Sequence, residues 1–329
     1  MIVDLVTHVM PRVVMEKIEK LPKRFGAMGD DVASFTQLFD LDERFRTMEE
    51  FGEYRQIISL SGPSLEEIAN RAQGTELSKV ANDAMADMVR RFPDRFPGFL
   101  AALSLHDVDD AVKELTRAGD GLGAVGVQVF TEVGDRAFDD PQFEPVLAAA
   151  AARNLMILLH PARTPDSAEF KTEPQSLFGV WQTLSWPFMT SVVMWRLICR
   201  GVFDKFPDIK ILAHHLGGII PYHANRVERG LQIEPNRTAA EAGDSGRKFE
   251  KTAREYLRMY YGDTAMHGAV DPVRCGLSFF GPGHVAFASD APFGSVKAAF
   301  NMIDALGLDD AVRRQIEQRT AEHLTGLRF

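Results

Sequence analysis

Short apolar runs recur along the chain, each followed by a longer amphipathic stretch. "IVDLVTH" (2–8), "YRQIISLS" (54–61), "FPGFLAAL" (96–103) and "GAVGVQVF" (123–130) have the length and composition of buried strands. "LMILLHP" (155–161), "IKILAHH" (209–215), "RMYYGDT" (258–264) and "HVAFASD" (284–290) continue the series. The stretches between them, such as "LDERFRTMEEFG", "ELSKVANDAMADMVRRFP", "DDAVKELTRAG" and "FEPVLAAAAARN", repeat apolar residues at i, i+3, i+4 and i+7. That spacing gives a helix one buried face. Eight strands alternating with helices predict parallel βα units closed into an α/β (β/α)8 TIM barrel, one domain over residues 1–329.

Two segments are too long for simple barrel loops: 10–40 after strand one and 162–200 after strand five. Both are rich in Phe, Met and Trp ("RFGAMGDDVASFTQLF", "FGVWQTLSWPFMTSVVMW"). Loops after the strands sit at the face where barrel active sites form, so these insertions are expected to wall and cover an apolar pocket.

Composition narrows the class. Hydrophobic residues make up 45% and charged residues 25% of the 329, ordinary for a soluble enzyme. A net charge of −9 without a basic block argues against nucleic acid or an anionic membrane as partner. Cys199 and Cys275 stand far apart, which suggests a reduced compartment and no thiolate cluster. No secretory leader or membrane-spanning apolar run is visible, and a cytoplasmic location is the expectation.

The candidate chemistry lies at the strand ends. His8 closes strand one, His160 strand five, His214 and His215 strand six, Asp263 strand seven and Asp290 strand eight. Imidazoles plus a carboxylate on one rim suit a divalent metal with open positions for substrate or water. "GLGAVG" (121–126) matches a dinucleotide loop in letters only: it follows a helix and enters a strand, the reverse of the required order.

"HVMP", "LLHPA", "GVFDKFPDIKILAHHLGGIIPYHANR" and "FASDAPFG", in this order, resemble the amidohydrolase-related decarboxylases, the group of aminocarboxymuconate semialdehyde decarboxylase and γ-resorcylate decarboxylase. The resemblance spans almost the whole chain, with Gly201–Arg226 its most specific part. It implies His8, His160 and Asp290 as metal ligands, and Asp290 and His215 as catalytic groups. His215, six residues before Pro221, has the family spacing better than His214. Arg226 matches an arginine that reaches a neighbouring subunit's pocket and pairs with a substrate carboxylate, which implies a homodimer or dimer of dimers.

Departures from the pattern matter as much. Val6 stands where the family has the first ligand of the strand-one pair, and valine cannot ligate. Alternation puts Asp4 on the face of Val6 and His8, but two residues is about 6.5 Å of strand, too deep to compensate. Phe35 replaces a substrate-binding arginine and Met189 an acid, so the pocket is expected to be apolar, with Trp186 and Phe188 lining it. The expected function is non-oxidative decarboxylation of an aromatic or unsaturated carboxylic acid, assisted by zinc, or by manganese or magnesium. Alternatives are a metal-dependent lactone or amide hydrolase, a hydratase, and a metal-independent or non-catalytic small-molecule binder.

Overall fold

The computed structural model describes residues 1–23, 26–233 and 249–329, and the eight apolar runs pair side by side in one sheet. The strands are β1 Ile2–Val9, β2 Tyr54–Leu60, β3 Gly98–Ala102, β4 Gly126–Phe130, β5 Met156–His160, β6 Ile211–Ala213, β7 Tyr261–Asp263 and β8 Val285–Ala286, in that spatial order. Neighbouring strands run parallel throughout. The chain past β8 closes the ring onto β1. Leu5 N donates to Phe287 O at 3.0 Å, His8 N to Ala291 O at 2.8 Å and Asp290 N to Val6 O at 3.1 Å. This is the expected barrel.

Helices Leu41–Glu49, Arg71–Arg91, Val108–Leu122 and Glu144–Ala152 form where the amphipathic patterns place them. The side chains of Asp40, Asn70 and Asp107 cap the first three by accepting from the backbones of Glu43, Gln73 and Asp110. Each cap is worth about 1 kcal/mol.

Alternation along each strand divides the core into two layers. Ile58, Phe99, Val127, Ile157 and Ile211 face outward beneath the helices. Val3, Val6, Ile57, Leu100, Leu158, Leu212 and Ala288 fill the barrel interior. Side chains buried this completely contribute roughly 1.5–3 kcal/mol each. Lys210 ties the C-terminal helix Thr320–Thr325 beneath β6 by donating to the carbonyls of His323 and Leu324.

β1 departs from simple alternation. Asp4 pairs with Gln56, yet Thr7 pairs with Ile58, so three steps on β1 face two on β2. This is a β-bulge. It lets both Leu5 and Val6 join the interior layer and leaves Asp4 facing outward. There Asp4 accepts from the Tyr54 hydroxyl, from Ser289 N at 3.0 Å and from Ser289 Oγ. Asp4 therefore does not share the face of His8; it is excluded from the site by direction, and not by depth as the alternation implied.

The segment 10–40 carries the helix Arg12–Ile18 and the 3-10 turns Gly26–Ser34 and Thr36–Leu38. After β5 the chain is irregular until the helices Val180–Thr183 and Ser185–Cys199. Val193, Met194, Leu197 and Ile198 are buried, so the second half of 162–200 is a covering helix of the barrel. Among the described residues no helix is long and apolar enough to cross a membrane.

Candidate active site

Strand ends deliver the polar groups to one rim. His8 lies near the end of β1, His160 is the last residue of β5, His214 follows β6, Asp263 ends β7, and Asp290 lies beyond β8. Asp290 is the hub. His8 Nε2 lies 3.1 Å and His214 Nε2 3.4 Å from its Oδ1, and His215 Nε2 lies 3.8 Å from its Oδ2. Asp290 has a left-handed backbone with φ 63°, a conformation that few non-glycine residues adopt. It is held by its own N–H on the Val6 carbonyl and by Gly294 N donating to its carbonyl at 2.7 Å. A Cβ on Gly294 would stand 2.0 Å from Ser289 O, so the turn that aims Asp290 requires glycine there.

Three imidazoles are anchored in the same way. His160 Nδ1 donates to Pro161 O at 2.8 Å, and His214 Nδ1 donates to Asp263 Oδ2 at 2.7 Å. Ser59 Oγ gives its proton to Thr7 O at 3.2 Å and therefore accepts from His8 Nδ1 at 3.0 Å. With each Nδ1–H engaged outside the cluster, each Nε2 is left as the potential ligand. Outer partners of this kind orient and tune metal-binding histidines. Candidate ligand atoms of His8, His160 and His214 lie within 4.8 Å of one another, as do those of His214, His215 and Asp290.

The electrostatics agree with that use. Burial, with His214 and His8 close by, pushes His160 well below the ordinary imidazole range, so it is neutral. Burial would raise Asp290, but the imidazoles of His214, His215 and His8 gathered around it outweigh burial and hold the carboxylate well below its usual range. Burial also opposes charge on His214, yet Asp263 and Asp290 prevail and raise it to about 10. A proton and a divalent cation would compete for that Nε2. Without a cation, Nε2 is buried and has no hydrogen-bond partner. The residues present therefore fit a divalent ion: a carboxylate kept anionic, three imidazoles with Nδ1 engaged outside the cluster, and an orphaned nitrogen among them.

The cluster forms one end of a cavity of about 420 Å³. Its walls include Phe35, Phe130, Trp181, Trp186 and Phe293, with Arg163 the one lysine or arginine among the described lining residues. Trp186 stands edge-on to His160 at 5.9 Å, and Phe293 lies 5.8 Å from His8 and 4.8 Å from Phe35. Apolar walls with a few convergent polar groups suit a small flat ligand.

The amidohydrolase family model matches residues 37–327. The chain belongs to the amidohydrolase family. This amidohydrolase is 30% identical over 300 residues to gamma-resorcylate decarboxylase of Rhizobium radiobacter, covering 88% of each chain. It is 28% identical to 6-methylsalicylic acid decarboxylase of Penicillium expansum, over 81% of this chain and 79% of the relative. Among solved structures, a dihydroxybenzoic acid decarboxylase of Polaromonas sp. JS666 with bound manganese and the inhibitor 2-nitroresorcinol superposes with a TM-score of 0.81 and 25% identity. It covers 99% of this chain and 97% of its own. The fold also matches 5-carboxyvanillate decarboxylase of Sphingomonas paucimobilis, with a TM-score of 0.85 at 23% identity over 99% of both chains.

Within the amidohydrolase, the sequence-predicted residues divide. His8, His160, His215 and Asp290 converge, and Phe35 and Trp186 line the cavity. Phe188 does not line it and is 52% exposed, while Met189 sits behind the wall, its sulfur 3.6 Å from Arg163 Nη1. Arg226 is exposed on the helix Ile220–Ile233 and borders a separate surface depression with Tyr222 and Arg254. Ser59, Arg163, Trp181 and Phe293 were not anticipated. Arg163, three residues past His160 on the β5 rim, carried a readable signal; Ser59 carried one only through its inward register on β2.

Proposed function

We propose that this amidohydrolase is a non-oxidative decarboxylase of an aromatic carboxylic acid with a hydroxyl beside the carboxylate. The observation that carries the reading is the meeting of Asp290 and the Nδ1-anchored histidines with an aromatic-walled cavity. Relatives named as decarboxylases of resorcylate and methylsalicylate support the substrate class.

His8, His160 and Asp290, with His214 beside them, would hold a divalent ion. When bound, it would supply positive charge that orients the carboxylate and keeps the adjacent hydroxyl ionised, so that the oxygen feeds electron density to the ring carbon that takes the proton. Trp186, Phe35 and Phe293 hold the ring and exclude water. His215, on the cavity wall, passes a proton to the carbon that carries the carboxylate. A C–H bond forms, the electron pair of the C–C bond returns to the ring, and CO2 leaves. Arg163, with its Nε buried and unpartnered, is placed to meet a polar substituent on the ring.

Zinc suits a histidine-rich donor set, and manganese is the ion bound in the Polaromonas relative; we place manganese first. Cys199 and Cys275, neither of them in a disulfide, suit a reducing, cytoplasmic setting. A homodimer is supported by exposed Phe170, Phe178, Leu184 and Phe188 after β5 and by the outward Arg226, free to reach a neighbouring pocket.

The test is CO2 release and phenol formation from a panel of hydroxybenzoates by protein loaded with manganese or zinc. Release of CO2 with the matching phenol supports the reading. Hydrolysis of a lactone or amide panel, with no decarboxylation of any hydroxybenzoate, overturns it.

A further inference from the structure

We infer that His214 is a metal ligand in this chain and takes the place that Val6 leaves without a donor on β1. The inference rests on the reading that a divalent ion binds beside Asp290.

β1 has one donor to give. Val6 is fully buried in the apolar interior layer, two residues before His8 on the same side, and has no atom that can ligate. The bulge turns Asp4 to the opposite face, where Tyr54 and Ser289 occupy its oxygens. His8, His160 and Asp290 together make only two imidazoles and one carboxylate.

His214 completes the set from the other side of the barrel. Its Nδ1 is fixed by the fully buried Asp263, and its ring stacks on that of His160 at 4.9 Å between centroids. Its Nε2 is buried without a hydrogen-bond partner, 3.4 Å from Asp290 Oδ1. Nitrogens bound to one ion at about 2.1 Å can stand at most about 4.2 Å apart. The 4.8 Å envelope around His8, His160 and His214 is thus within small side-chain adjustments of a shared ion.

Neighbouring histidines allow the substitution without loss of the proton carrier. His215 and Leu216 both have φ 56°, so the backbone turns sharply after His214. His214 is completely buried beneath the cluster, whereas His215 lines the cavity. One imidazole binds and the next faces substrate.

The direct test is X-ray absorption fine structure of the full chain loaded with cobalt(II) or zinc(II), with the coordinated imidazoles counted. Three are expected in the wild type and two in His214→Gln, with metal affinity lower by tenfold or more. Val6→His in the His214→Gln background should restore both the third imidazole and the affinity. A folded wild type that binds the ion through two imidazoles overturns the role of His214 and leaves the metal-dependent reading intact. A folded wild type that takes up neither cobalt nor zinc nor manganese overturns that reading and this inference together. The wild-type count stands whether or not the His214 variant folds.

Discussion

His214 and Asp263 form a completely buried pair, with Nδ1 and Oδ2 2.7 Å apart. Asp263 Oδ1 also accepts from Ala265 N at 3.0 Å, so the carboxylate is itself fixed before it orients the imidazole. Asp263→Asn keeps the shape and removes the charge. Outer partners of metal-bound histidines are worth roughly 10–100-fold in affinity. Calorimetric titration with zinc should show a loss in that range; an unchanged dissociation constant would detach Asp263 from the metal site.

His215→Ala should bind metal as the wild type does and lose turnover. Positioned acid–base groups contribute typically 10²–10⁴-fold, and kcat should fall within that span while metal content stays level. Equal metal content with retained kcat would remove His215 from the proton transfer.

Arg163→Leu tests the cation in the cavity wall. Its guanidinium donates to Ser167 O at 3.2 Å and stands 3.9 Å from Glu132, and the substitution removes these contacts together with any to substrate. Losing a charge-assisted contact to substrate costs about 1.5–3 kcal/mol. KM should therefore rise by tenfold or more for acids bearing a second polar substituent, and little for unsubstituted salicylate. A uniform change across the panel would make Arg163 a purely structural residue.

Asp4 predicts a pH dependence of stability. Burial, opposed by hydrogen bonds from Ser289 and Tyr54 and by the charge of Arg44, pushes its carboxyl up from 3.8 to about 7. Between those values the folded chain keeps a proton that the unfolded chain releases. Unfolding free energy therefore falls as pH rises from about 4 to about 7, and the contribution is flat outside that window. Asp4→Asn removes the titration, so urea midpoints of wild type and variant should converge or cross between about pH 4 and about pH 7. Parallel curves across that range would place the titration elsewhere.

Much of the barrel was legible because each strand announces itself by a short apolar run and each helix by its 3.6-residue period. The polar strand ends His8, His160 and Asp290 were readable for the same reason: a charge or imidazole that closes a buried run must face the rim. The β1 bulge was not. Leu5 and Val6 are both apolar, and an inserted apolar residue leaves no mark on the pattern, so Asp4 looked as though it shared a face with His8. Phe188 was paired with Trp186 on aromatic composition, without regard to the helical period. Trp186 and Phe188 lie two residues apart on the helix Ser185–Cys199, about 200° around its axis, and cannot both face one cavity. The tandem His214–His215 was ambiguous because motif spacing favoured His215 while the backbone turn that separates their directions depends on φ alone.

The apolar layer under the cluster also governs traffic. Val6, Leu100, Leu158, Leu212 and Ala288 are fully buried and form a dry floor. A carboxylate cannot cross it, so acid enters and product leaves by the rim-side door. Hydrogen for the vacated carbon must come through that door too, and turnover in heavy water should leave one deuterium there.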